Sequence, residues 1–261
     1  MEPGLVRDAL TLVLGVLTGM MSAAFGVGGA VISTPGLRLL GASALVAVGT
    51  TLPSILPSAA TGTARYARAR LVDWRVVVAT APAGVVGAVV GALLTQRVPG
   101  EGHWLMVATA GILGYTAVRL WREPAGEEGP AGAGARHPST AALAGLGLTA
   151  GGMSGLLGVG GGVVLLPAFL QVLRMPTKEA VATSLACVGI LAVPSTISHA
   201  ALGTIDWRFA LLLAAAVVPG ARLGSGLAIR TSDRRLRLAL ATVLGVLAAV
   251  YGVSELRSAL R

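Results

Sequence analysis

Two glycine clusters within apolar sequence are the residues of this chain best suited to bind a ligand. One spans Phe25–Ala30 (FGVGGA) with Pro35 shortly after it, and the other spans 157–162 (LGVGGG) with Pro167 at the same spacing. Glycine in a helix interior costs about 1 kcal/mol relative to alanine, so each cluster should break its helix. A break at membrane depth is tolerated only where protein or a cavity surrounds it. We interpret the two breaks as the two halves of one binding site.

A new helix is predicted to begin after each break, at about residues 28 and 160. The first N–H groups of a helix have no partner within it, and that end carries a partial positive charge. Two such ends facing each other would bind a small oxyanion without a buried cation. The alternative is that the small residues serve close helix packing. The candidate substrate-binding glycines are Gly26, Gly28, Gly29, Gly158, Gly160, Gly161 and Gly162.

Four hydroxyl residues form a second candidate group, because Thr50 and Thr51 match Thr183 and Ser184 in the other half of the chain. Hydroxyls near the start of a span can donate to an oxyanion, or they can cap or bond their own helix. Both interpretations stay open. One turn later Ser54 matches Cys187, and a lone cysteine there is typical of a small buried apolar residue.

Charged and titratable residues are scarce in the apolar runs. Arg222 lies inside the run 209–229, where it either faces the protein interior as a substrate ligand or extends to the interface. His199 near the end of a run either couples transport to protons or is an interfacial residue. Asp73 and Asp206 each precede a tryptophan and are predicted to be helix N-caps. Glu179 at the first position of one run is predicted to be a helix cap, and the absence of Asp and Glu from the rest of the runs favours an anionic substrate.

The surrounding composition predicts an all-α polytopic membrane protein. The 261 residues are 54% hydrophobic and 12% charged, with mean hydropathy +0.81. Apolar runs near spanning length recur at about 42–62, 76–96, 104–120, 179–197, 209–229 and 238–253. The net charge of +9 does not imply nucleic acid, because cytoplasmic loops of membrane proteins are rich in Lys and Arg. The single cysteine excludes an intrachain disulfide and a cysteine-based metal cluster, and we expect no cofactor.

The two glycine clusters belong to an internal repeat with an offset of 132 to 133 residues. It divides the chain into a first membrane repeat at 1–121, a flexible linker at 122–138 and a second membrane repeat at 139–261. Each half is predicted to be a glycine-broken helical hairpin followed by three transmembrane helices. Whether the broken segments are re-entrant or cross fully stays open. Related membrane halves are typical of transporters built around a pseudo-twofold axis.

The basic residues favour inverted halves. If each broken segment returns to its side of entry, 13 basic residues lie on one side and 6 on the other, with both termini outside. If each broken segment crosses once, the division is 11 to 8. The positive-inside rule prefers the first arrangement.

The sequence carries the two glycine motifs with their prolines, Thr183-Ser184-Leu185, and Asp-Trp pairs at 73–74 and 206–207. Together these features resemble the TauE/SafE sulfite exporter family, also called the four-toluene-sulfonate uptake permease family. The resemblance covers nearly the whole chain. It implies a secondary transporter of small sulfur-containing anions, such as sulfite, sulfonates or sulfoacetate, in the bacterial inner membrane, and it implies no enzyme. The alternatives are a passive anion channel and, less favoured, a membrane enzyme or assembly subunit. The coupling ion (a proton or sodium), the transport direction and a homodimer stay open.

Overall fold

The computed structural model describes residues 4–94, 103–122, 139–158 and 160–259, which form helices and no strands. The predicted linker at 122–138 lies outside these residues except for Arg122, and Val159 of the second glycine cluster lies outside them as well. The helices of the first half are α1 (Leu5–Phe25), α2 (Ala30–Leu39), α3 (Ala44–Arg68), α4 (Trp74–Leu94) and α5 (His103–Arg122). Those of the second half are α6 (Thr140–Leu157), α7 (Gly162–Gln171), α8 (Thr177–Ala201), α9 (Trp207–Arg230) and α10 (Asp233–Ala259).

This order confirms the predicted all-α membrane fold, in which each half has one broken segment and three further helices. Among the described residues, five helices are long and apolar enough to cross a membrane: α1, α3, α4, α8 and α9. Large apolar side chains cover their outward faces, for example Val78 (70% exposed) and Leu211 (65% exposed). Trp74 and Trp207 are half exposed at the first residues of α4 and α9, as expected for aromatic residues at a membrane interface.

The halves are interleaved, because α1 packs along α9 and α6 packs along α4. Glycines let these backbones approach closely: a Cβ added at Gly151 would overlap the Gly84 carbonyl oxygen, and one added at Gly220 would overlap that of Val16. Farther along each helix, Gly155 meets Ala88 and Gly224 meets Met20. Both pairs therefore run parallel, with small residues at the contact.

Helices α3 and α8 lie at the centre and occupy matching positions in the repeat. A Cβ added at Gly62 would lie 2.5 Å from Leu185 Cδ2, and one added at Gly189 would lie 2.9 Å from Ala59 Cβ. Rising numbers in α3 therefore pair with falling numbers in α8, so these matched helices run antiparallel. The last helices of the halves do the same, since Gly114 approaches Ala248 and Gly245 approaches Ala117.

The turns after α3 and α8 confirm the predicted aspartate caps. Asp206 Oδ1 accepts a hydrogen bond from Phe209 N at 3.4 Å at the start of α9. Asp73 Oδ1 accepts from Arg75 N at 2.9 Å and from Val76 N at 3.4 Å at the start of α4. Each carboxylate thus satisfies N–H groups that have no partner within the helix.

Candidate functional site

Both glycine clusters end the preceding helix in the same way. Gly26 and Gly158 adopt left-handed conformations (φ 65° and 62°), and their N–H groups donate to Ser22 O at 2.8 Å and Ser154 O at 2.9 Å. These contacts end α1 and α6. Gly28 and Gly160 have positive φ as well, a conformation that favours glycine. The short helices α2 and α7 begin directly afterwards.

The structure brings the two breaks together. A Cβ added at Gly160 would lie 3.7 Å from Gly28 Cα, and one added at Gly162 would lie 2.5 Å from the Val27 carbonyl carbon. Side chains of the central helices border the contact, since the same Cβ at Gly160 would lie 3.3 Å from Ile55 Cδ1. The N-termini of α2 and α7 therefore meet between α3 and α8.

Each break is held by the central helix of the opposite half. A Cβ added at Gly26 would lie 2.9 Å from Val181 Cα, and one added at Gly158 would lie 3.1 Å from Val48 Cβ. Ser184 also donates a hydrogen bond from Oγ to the Gly26 carbonyl at 2.8 Å. This hydroxyl stabilises the first break from the second half.

The other three candidate hydroxyls also bond within the protein. Thr50 Oγ1 accepts from Asp206 N at 2.9 Å, and Thr183 Oγ1 accepts from Asp73 N at 3.0 Å. Thr51 Oγ1 donates to Ala47 O at 2.9 Å in its own helix. All four hydroxyl residues are fully buried, and their contacts tie helices and turns together. Cys187 is fully buried as well, as expected of a small apolar residue.

Comparison with known proteins identifies the family of this chain. The family model described as "Sulfite exporter TauE/SafE" matches residues 11–251. The chain belongs to the TauE/SafE sulfite exporter family. It is therefore related to membrane transporters, and its long apolar helices make it a multi-pass membrane protein.

Several curated relatives of this TauE/SafE chain carry transporter names. The probable membrane transporter protein YunE of Bacillus subtilis (strain 168) is 25% identical over 245 residues, covering 84% of this chain and 86% of the relative. A probable membrane transporter protein of Xylella fastidiosa (strain 9a5c) is 28% identical over 232 residues, covering 85% of each. The probable membrane transporter protein MJ0441 of Methanocaldococcus jannaschii is 30% identical over 110 residues, covering 39% of this chain and 41% of the relative. No solved structure matches the chain.

The side chain of Arg222 in this TauE/SafE protein faces outward from the helix bundle. It is exposed on the outer face of α9, beside Leu223, which is 63% exposed. The inner face of the same helix carries Gly220 and Gly224, which contact α1. Because Arg222 lies only two turns from the end of α9 at Arg230, its long side chain can extend to the interface.

His199, in the last turn of α8, has a side chain that is fully buried within the protein. Its Nε2 lies 3.1 Å from Gly155 O, and its Nδ1 lies 2.9 Å from Thr204 Oγ1. A carbonyl only accepts, so Nε2 carries a proton and donates to it. The position matches Tyr66, whose hydroxyl donates to Ala23 O at 2.6 Å. Both side chains thus bind a carbonyl in the last turn before a break.

Sequence reasoning missed Thr18 and Ser22 of α1, which are each 1% exposed. A Cβ added at Gly29, where α2 begins, would lie 3.4 Å from Ser22 Cβ and would overlap Thr18 Cγ2. Within the part of the chain that the structure describes, Thr18 Oγ1 and Ser22 Oγ make no hydrogen bond. The signal in the sequence was their spacing of four, which places both on one face of α1 directly before the break.

Proposed function

We propose that this protein is a secondary transporter of small sulfur-containing anions, of the sulfite, sulfonate or sulfoacetate type, and not an enzyme. It binds the anion between the two glycine breaks, at the N-termini of α2 and α7, and it works by alternating access in the bacterial inner membrane. A coupling ion, either a proton or sodium, would drive the cycle. We also propose that the protein forms a homodimer.

The observation that carries this proposal is the meeting of the two breaks at Gly28 and Gly160. A helix N-terminus attracts anions through its N–H groups and its dipole. Two of them at one buried place offer several donors and no fixed cation. Such a site releases an anion more readily than a buried arginine would, which suits transport.

The directions of the helices support alternating access. The matched helices α3 and α8 are antiparallel, as are α5 and α10, while α1 runs parallel to α9 of the other half. Halves that cross the membrane in opposite directions would have this pattern, and the charge asymmetry of the sequence favours the same arrangement. Inverted halves allow one to rock against the other around a fixed central site.

The test is transport into proteoliposomes containing the purified protein, with 35S-labelled sulfite and methanesulfonate as probes. Gly160→Leu and Gly28→Leu should each abolish uptake while the protein stays in the membrane. Gly203→Ala is the matched control, because Gly203 has a positive φ of 68° but no atom within 4 Å of an added Cβ. It carries the same backbone strain away from the site. Normal uptake by both leucine variants would contradict the site.

A passive channel for the same anions is the second candidate, because channels also use pore-lining dipoles. Saturable uptake that depends on an imposed proton or sodium gradient would favour the transporter. Uptake that follows only the anion's own electrochemical gradient and does not saturate would favour the channel.

A further inference from the structure

We propose that the anion is bound asymmetrically, by hydroxyl groups of the first half. Thr18 and Ser22 donate hydrogen bonds to the anion at the N-terminus of α2, whereas the matching positions of the second half are apolar or bonded internally. The inference rests on the proposed function, since it concerns the same site, and it assigns the residues that determine which oxyanions bind.

The first half presents two hydroxyls that the protein itself leaves unused. Thr18 and Ser22 are each 1% exposed, and Thr18 Cγ2 and Ser22 Cβ lie against Gly29, the residue before α2. Neither Thr18 Oγ1 nor Ser22 Oγ has a hydrogen-bond partner among the described residues. A buried hydroxyl without a partner costs free energy, so a bound group that accepts from it would recover that cost.

At the matching positions of the second half, no hydroxyl proton is available to a ligand. Ala150 occupies the place of Thr18, so no hydroxyl exists there. Ser154 occupies the place of Ser22, and its Oγ lies 3.5 Å from Ser195 Oγ. Ser195 donates its own proton to Leu191 O at 3.0 Å. The Ser154 hydroxyl therefore donates to Ser195, and it has no proton left for a ligand.

One substitution between the halves explains this difference. The residue that matches Ser195 in the first half is Gly62, which has no side chain to offer Ser22. A side chain added there would displace Leu185, because a Cβ at Gly62 would lie 2.5 Å from Leu185 Cδ2. Ser22 therefore lacks the partner that Ser195 provides to Ser154 in the second half.

A third hydroxyl extends the same asymmetry. Ser58 is 1% exposed, and its Oγ has no hydrogen-bond partner in the described ranges. Its match in the second half is Leu191, whose Cδ2 would lie 3.3 Å from a Cβ added at Gly161. At this position of the repeat, α3 thus carries an unpaired hydroxyl where α8 carries a leucine. An anion with an oxygen-rich end and a less polar end would bind in one orientation.

The chemistry of these groups defines the ligand end that they recognise. A serine or threonine hydroxyl donates one hydrogen bond, and bonds to charged acceptors are stronger than those between neutral groups. Two hydroxyls together with the N-terminus of α2 match an acceptor that carries two or three oxygens, such as a sulfite or sulfonate group. Chloride offers no such separate oxygens.

The experiment compares matched substitutions in the two halves of the full-length protein in detergent. Isothermal titration with sodium sulfite, sodium methanesulfonate, sodium thiosulfate and sodium chloride first identifies which anions bind the unmodified protein. The Kd values of those that bind are then measured for Ser22→Ala, Thr18→Val and Ser154→Ala. Thermal unfolding without added anion is recorded for each variant.

We expect opposite patterns in the two halves. Ser22→Ala and Thr18→Val should each raise the Kd by about tenfold, without lowering the unfolding temperature, because neither removes a hydrogen bond within the protein. Ser154→Ala should lower the unfolding temperature and leave the Kd within about twofold of the original.

The outcomes that would overturn the inference differ from those that would overturn the proposed function. Unchanged Kd values for both Ser22→Ala and Thr18→Val, or equal effects of Ser22→Ala and Ser154→Ala, would contradict the asymmetric site while leaving the proposed function intact. Binding of no oxyanion by the unmodified protein would contradict both.

Discussion

Thr183 Oγ1 accepts a hydrogen bond from the Asp73 backbone N–H at 3.0 Å, which ties the start of α8 to the turn that precedes α4. The repeat reproduces the contact, since Thr50 Oγ1 accepts from Asp206 N at 2.9 Å. These two hydroxyls anchor turns of the opposite half, so we expect them to matter more for stability than for ligand affinity.

Thr183→Val should therefore lower the free energy of unfolding by about 1 to 3 kcal/mol, because it leaves a partly buried N–H group without a partner. Thermal unfolding in a mild detergent would measure this. Thr149→Val is the control, since that exposed hydroxyl bonds only within its own helix, and we expect a change below about 0.5 kcal/mol. Unchanged stability with lost sulfite binding would instead make Thr183 a ligand.

Gly162→Ala should disrupt the site although it adds one methyl group. The new Cβ would lie 2.5 Å from the Val27 carbonyl carbon, and overpacking of a close contact costs about 1 to 3 kcal/mol. The matching residue of the first half is already Ala30, so Ala30→Gly is the reciprocal control, and we expect only the propensity cost of about 1 kcal/mol. Unfolding temperature and sulfite uptake would be measured for both. Equal effects of the two variants would contradict the inference that the close contact exists at Gly162 and not at the matching Ala30.

Gly151→Ala should weaken the packing of α6 on α4. Its Cβ would overlap the Gly84 carbonyl oxygen, so the two helices must separate. Gly145→Ala in the same helix adds a methyl group into open space and should stabilise slightly through helix propensity. The midpoint of thermal unfolding distinguishes the two, and a similar shift for both would contradict the close approach of α4 and α6.

Substitutions at His199 test the carbonyl contact beside the second break. His199→Phe removes both polar contacts and should destabilise by about 1 to 3 kcal/mol, because the Gly155 carbonyl and the Thr204 hydroxyl lose a buried partner. His199→Tyr introduces the residue found at the matching position, Tyr66, and should recover part of the loss. A tyrosine variant as unstable as the phenylalanine variant would show that the histidine ring, rather than its hydrogen bond, is needed there.

The sequence predicted the helices and the breaks because both depend on local chemistry. Apolar runs of spanning length, aspartates before Trp74 and Trp207, and glycine clusters at matched positions each specify their own segment. The sequence did not predict which hydroxyls bond within the protein, because those contacts join residues far apart in the chain, such as Thr50 with Asp206.

The same limit explains why the contacts of His199 and the unpaired state of Ser22 were not predicted. Position near the end of an apolar run did not indicate that the packing of α6 against α8 buries the His199 side chain. Ser22 looked like one more small residue of α1. In the structure the Ser22 hydroxyl has no partner among the described residues. The comparison of the Ser154–Ser195 contact with Gly62 in the other half explains why.

The interleaving of the halves has an evolutionary consequence. Each glycine break is braced by the other half, Gly26 by Val181 and Ser184, and Gly158 by Val48. A chain with only one half would lack these braces, unless a second copy entered the membrane in the opposite orientation beside it. On the inverted arrangement proposed above, an ancestor of half this length would have required two copies in opposite orientations, which gene duplication followed by fusion would join in one polypeptide.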